Sequence, residues 1–169
     1  MTTSAAPDSL PHTFRLAPRD AAVYAAIAAA GAILSHLAHH YPADMPAVGP
    51  YEFSWAIWLA VTLSAFWYAR GLARLDRAEW PALWRRIAFV AGLALVYAVT
   101  QTQFEYLAQR MFFLNRIQHV SMHHLGPVLL ALSTAGPVIL AGGPDWLRRL
   151  CASRPARRAM HAIQQPALA

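Results

Sequence analysis

Two short runs carry most of the chain's histidine. They read His36-Leu37-Ala38-His39-His40 and His119-Val120-Ser121-Met122-His123-His124, and together they hold six of the eight imidazoles. On a helix, residues at i, i+3 and i+4 share a face. His36, His39 and His40 therefore point one way, as do His119, Met122 and His123, while His124 turns away. Imidazole is a general transition-metal ligand, and thioether sulfur selects Cu(I). A His/Met set without thiolate, facing an oxidising compartment, fits copper better than structural zinc. Haem b is the weaker alternative, because it takes one histidine from each of two helices well inside a bilayer. A lone histidine near a membrane boundary is usually only an interfacial polar residue. Three on one face, twice over, are harder to read that way. Metal ligands also need polar neighbours to orient them. Glu105, Gln118 and Asn115 are the first candidates, followed by Glu52, Asp44 and Tyr41, with Met45 a second thioether.

The elements that must position these groups follow from composition. Of 169 residues, 57% are hydrophobic and 13% charged, against about a quarter charged in a soluble domain. The deficit points to an integral membrane protein folded as one unit. The net charge of +6 comes from arginine alone, since the chain has no lysine. These arginines lie between apolar spans and in the tail, so they report orientation and not nucleic-acid binding. Cys151 is the single cysteine, which leaves no disulfide framework and no thiolate metal motif. An activated nucleophile and a Gly-rich phosphate loop are both missing, so the chain reads as a binding protein and not an enzyme. The first apolar segment lacks a small-x-small cleavage site and reads as a retained span.

The expected fold class is all-α: a polytopic membrane helix bundle with four transmembrane helices, both termini cytoplasmic. Residues 1–19 read as a polar lead, 20–142 as the transmembrane domain and 143–169 as a basic cytoplasmic tail. The four spans are expected near 21–41, 53–73, 87–102 and 118–140, each close to the ~20 residues that cross a bilayer. Twelve of the 14 arginines fall on one side of that arrangement, and the positive-inside rule makes it the cytoplasmic side. Both histidine clusters then face the exterior. Between the last two spans, Phe104, Leu107, Met111 and Leu114 recur at helical spacing and predict a short amphipathic helix over 103–117, lying at the outer surface. Inside, the stretch 74–86 is expected to dip Trp80 and Trp84 into the interface with its arginines toward lipid phosphates. Pro127 removes the helix bond to the carbonyl of His123 and predicts a kink just below the second cluster; Pro137 does the same for Ser133.

Residues 53–144 also carry a family pattern. A Trp-rich span (56–74) is followed by Trp80-Pro81-Ala82-Leu83-Trp84-Arg85-Arg86, then Glu105-Tyr106-Leu107-Ala108, Asn115-Arg116-Ile117-Gln118-His119 and Leu125-Gly126-Pro127. This resembles the CtaG family of membrane proteins, linked to assembly of caa3-type cytochrome c oxidase, in a shortened or divergent form. Gln118 and His119 match the family's His/Gln motif, whereas Asn115 stands where its first histidine is expected, and four spans replace the usual seven. The resemblance implies a bacterial inner-membrane protein that delivers or retains copper for an oxidase. Its partners would be the lipid bilayer and oxidase subunits or a periplasmic copper carrier, with a homo-oligomer as a further option. The expected ligands are His119, His123 and Met122, then His36, His39 and His40, with Gln118, Glu105 and Asn115 beside them. Two other readings stand against this one: a small membrane cytochrome b, and a ligand-free structural subunit of a respiratory complex.

Overall fold

The computed structural model describes residues 18–152. Most of the polar lead and of the basic tail, with His12, His161 and Arg15, lies outside the described residues. Among those residues every regular element is helical: α1 (Pro18–His40), α2 (Trp55–Arg74), α3 (Leu83–Gln101), α4 (Gln103–Arg110), α5 (Phe112–Val120), a π-helical turn (Ser121–Leu125), α6 (Gly126–Ser133), α7 (Gly136–Gly142) and α8 (Asp145–Ala152). The all-α expectation holds. α1, α2 and α3 are each long and apolar enough to cross a membrane, and α5 to α7 make a fourth candidate only as one span broken by a 68° bend.

Antiparallel packing brings the ends of the first three helices together. α1 is tied to α2 by Asp20 to Arg70 at 2.6 Å, by Trp67 Nε1 donating to Tyr24 Oη at 3.0 Å and by Trp58 Nε1 donating to the Ile27 carbonyl at 3.0 Å. Gly31 continues the seam, with no room for a side chain against Trp55 and Trp58. The residue numbers fall along one helix as they rise along the other, so His36–His40 lies at the same end as the start of α2. The core sits lower, where Tyr68 stacks on Phe89 at 4.1 Å, with Ala135 and Val138 buried beside them. Apolar side chains around the rim, such as Ile33, Ile87, Val90 and Val128, remain exposed, as a lipid-facing surface requires.

Three expectations change in detail. The segment 103–117 is not one helix. The chain breaks at Met111, whose extended backbone separates α4 from α5, and the second half continues as the start of the fourth long helix. Within the second cluster, over Ser121–Leu125, the helix widens instead of kinking. Gly126 N–H reaches back to the Ser121 carbonyl, a five-residue step that makes room for the Pro127 ring, which would clash with a carbonyl four residues earlier. The sharp bend comes later, at Thr134. Its φ of 48° ends α6 in the left-handed region, and Pro137 opens α7 in a new direction. There α7 crosses α2 backbone to backbone: a Cβ on Gly142 would lie 1.9 Å from the Trp67 carbonyl oxygen, and one on Gly71 2.0 Å from that of Val138. Lastly, Trp80 is less a lipid anchor than a cap. Its Nε1 donates to the Leu72 and Leu75 carbonyls at 3.0 and 3.2 Å, groups left over at the end of α2, and Arg86 stacks on its ring at 5.2 Å.

Candidate functional site

At the end of the bundle where α2 begins and α3 ends, a cavity of about 460 Å³ opens among α2, α3, α4 and α5. Its polar walls come from Glu52, Ser54, Thr100, Glu105, Asn115, Gln118, His119, Met122 and His123, and its apolar walls from Phe53 and Ile57.

The cavity exists because α3 stops. Thr102 turns the chain. Its hydroxyl donates to the Ala98 carbonyl at 2.6 Å and accepts the Phe104 N–H at 3.3 Å, which caps α4. The stop frees the last carbonyls of α3 for other partners. Gln118, reaching across from α5, takes one: its Nε2 donates to the Val99 carbonyl and to Glu105 Oε2, both at 2.7 Å. The Gln101 carbonyl accepts Tyr51 N–H at 2.7 Å. The Gln101 side chain, fully buried, holds the start of α2 from both sides. Its Oε1 accepts Ser54 N–H at 3.1 Å and its Nε2 donates to the Ser54 carbonyl at 2.7 Å. Gln101, Gln118 and Thr102 thus fix three helix ends around one opening.

On the α5 wall the sequence-expected face is present. His119 and His123 stand one turn apart with ring centroids 4.4 Å from each other, and Met122 lines the same cavity. Gln118, Glu105, Asn115 and Glu52 line it too, as their types and spacing suggested. His124 does not, which agrees with its position off the face. His36, His39 and His40 also lie outside the lining. They sit together on α1, with His36 and His40 centroids 4.3 Å apart and His39 edge-on to His40 at 5.1 Å. The structure therefore groups each cluster but does not merge the two. Tyr41 and Asp44 line no part of the cavity, and Met45 lends only a backbone carbonyl, accepting from Gln103 Nε2 at 3.4 Å. Among the described residues no three His, Cys, Asp or Glu side chains close on one metal position. A metal held here would need the Met122 thioether or outside ligands besides the two imidazoles. Each close imidazole pair lies on a single helix, whereas a bis-histidine haem takes ligands from opposite faces of its ring. Sequence reasoning missed Gln101, Ser54 and Thr100. The polar run Thr100-Gln101-Thr102-Gln103 was the available signal, and it reads simply as the end of a span.

Fold and cavity together define a helical membrane protein with an open polar chamber at one end of its bundle, lined by carboxylate, carboxamide, imidazole and thioether groups. The family model of the cytochrome c oxidase caa3 assembly factor (Caa3_CtaG) matches residues 66–169, and the chain belongs to that family. Its role accordingly lies in cytochrome c oxidase assembly. The match takes in Thr100, Glu105, Asn115, Gln118, His119, Met122 and His123, and excludes α1 and the start of α2. No curated protein and no solved structure is detectably similar to the chain.

Proposed function

We propose that the cavity holds copper, as Cu(I), for a cytochrome c oxidase under assembly, with the ion as cargo passed on and not kept. The observation that carries this reading is the convergence of His119, Met122 and His123 on one wall of one chamber. Two imidazoles and a thioether are a donor set suited to Cu(I), and the absence of a thiolate keeps it distinct from a closed zinc site. Glu105 and Gln118 contribute indirectly. Their mutual hydrogen bond sets the position of the α5 turn on which His119 follows Gln118, and Glu105 leaves a carboxylate at the chamber wall to attract a cation. Arg70, Arg74, Arg77, Arg85 and Arg86 lie toward the other end of the bundle, so the positive-inside rule favours a chamber facing the outside of a bacterial inner membrane. There it would meet an oxidase subunit or a soluble copper carrier.

The test is copper retention by the full chain in detergent. After loading with Cu(I) and desalting, wild type is expected to keep about one ion per chain, and a His119→Ala/His123→Ala variant far less. In cells grown on limiting copper, that variant is expected to lose oxidase activity that added copper restores. Equal retention by both proteins removes these residues from the site. Loss of oxidase activity that copper does not restore assigns them a packing role instead.

A further inference from the structure

The α1 cluster is left over by the cavity, and its geometry is that of a separate chelate. His36 and His40 stand one helical turn apart at 4.3 Å between ring centroids, nearly the same as the 4.4 Å of His119 and His123. All three α1 imidazoles are exposed. None has a hydrogen-bond partner among the described residues, so their ring nitrogens are available. Tyr41 N–H closes the last turn on the Leu37 carbonyl at 2.8 Å, and further down α1 Gly31 and the Ile27 carbonyl pack on Trp55 and Trp58 of α2. Two imidazoles at i and i+4 on one helix share a face and can take adjacent positions on one metal ion.

The donor types separate this place from the chamber. No sulfur lies in the cluster, and Met45 in the following turn packs its methyl group at Gly49. An imidazole-only set with open positions suits borderline divalent ions, in the order that puts Cu(II) above Ni(II) and Zn(II). We infer that His36 and His40 form a second metal site on α1, independent of the chamber, which chelates a divalent ion, Cu(II) in preference to Zn(II), through two imidazole nitrogens. Water completes the coordination, and His39 stands edge-on to His40 at 5.1 Å without joining the pair on one metal position. The segment 41–54 places this site at the same end of the bundle as the chamber, since Gln103 reaches Met45 and Tyr51 reaches Gln101. The site lies outside the family-matched residues.

The experiment is Cu(II) titration of the full chain in detergent, purified with a histidine-free tag and followed by electron paramagnetic resonance. Wild type is expected to bind one Cu(II) with the hyperfine pattern of two nitrogens, and excess Zn(II) is expected to displace it poorly. His36→Ala/His40→Ala should abolish that signal, and His40→Gln alone should reduce it to one nitrogen. His119→Ala/His123→Ala should leave it intact, which separates this inference from the Cu(I) reading of the chamber. Helix content by circular dichroism should be the same for all variants, because His36 and His40 are exposed at a helix end. A two-nitrogen signal that persists in the α1 variant, or disappears in the chamber variant, overturns the inference. So does Zn(II) displacing Cu(II) at equal concentration.

Discussion

Replacing Gln101 with leucine tests how the chamber is built. Gln101 is fully buried, and its amide holds the Ser54 backbone by two bonds, 3.1 and 2.7 Å long. Leucine has similar bulk, so little void opens and the loss is mainly polar. Ser54 N–H, half-buried at the chamber wall, would lose its acceptor, which costs at most about 1–3 kcal/mol. The Ser54 carbonyl fares better, because it also accepts Trp58 N–H at 2.9 Å; losing its second donor costs roughly 0.5–1.5 kcal/mol. The two together come to about 2–4 kcal/mol. At about 2–4 °C per kcal/mol for a chain of this size, the melting temperature in mild detergent should fall by roughly 4–16 °C. Gln101→Glu sharpens the test, since a carboxylate can still accept Ser54 N–H but would set an oxygen against the Ser54 carbonyl. It should lose nearly as much as leucine. Because Phe53, Ser54 and Ile57 form one wall of the chamber, Cu(I) retention should weaken in both variants. A melting temperature within about a degree of wild type, with Cu(I) retention unchanged, would refute the idea that this clasp holds the α2 end in place.

Other substitutions should behave as their surroundings dictate. Gly142→Ala would place a methyl 1.9 Å from the Trp67 carbonyl oxygen and 2.5 Å from the Gly71 nitrogen; these are backbone atoms that cannot yield, so thermal melts should show a loss at or above the ~1–3 kcal/mol of ordinary overpacking. Gly136→Ala, with nothing within 4 Å of the added methyl, should leave the melt unchanged or slightly raised. Arg70→Ala strips the partner from Asp20 in a pair with side chains only 22% and 16% exposed; it should cost about 1–2 kcal/mol, between the surface and buried cases, and should speed proteolysis of α1. Arg148 beside Asp145 holds that carboxyl below the usual carboxylate range, by hydrogen bond and by charge. This contribution is present above the unfolded carboxylate pKa and is lost as pH falls through the lowered one, so α8 should become more protease-sensitive only in strongly acidic buffer, and Asp145→Asn should remove that pH dependence.

How far the sequence could be read depended on how local each signal was. The grouping of His119, Met122 and His123 follows from helical spacing, and the structure keeps it although Met122 and His123 lie in the π-helical turn, with the His119 and His123 rings 4.4 Å apart. Glu105 and Gln118 were legible as polar residues in an apolar setting, though not as hydrogen-bonded to each other, because that contact depends on α5 folding back over α4 at Met111. The same break explains why 103–117 reads as one helix and is two: Phe104, Leu107 and Met111 continue a helical pattern across a residue whose backbone is extended. Spacing also fixes which face a residue takes but not which neighbour that face meets. His36, His39 and His40 share a face as expected, yet α1 packs on α2 and leaves them outside the chamber. Gln101 was illegible for the opposite reason. A glutamine closing an apolar span looks like the membrane boundary, and only the tertiary fold shows it fully buried against Ser54. The fourth span shows the limit of proline reading. Pro127 and Pro137 both marked irregularities, but the ring at Pro127 is absorbed by a wide turn while the reversal at Thr134 takes the full bend.

The central claim, that the chamber binds Cu(I) through His119, Met122 and His123, is tested most directly by X-ray absorption at the copper edge on the Cu(I)-loaded full chain. The account predicts a mixed shell of nitrogen and sulfur scatterers, with the sulfur lost in Met122→Leu and the imidazole pattern lost in His119→Ala/His123→Ala. A shell without sulfur in the wild type, or a spectrum unchanged by either variant, would contradict it.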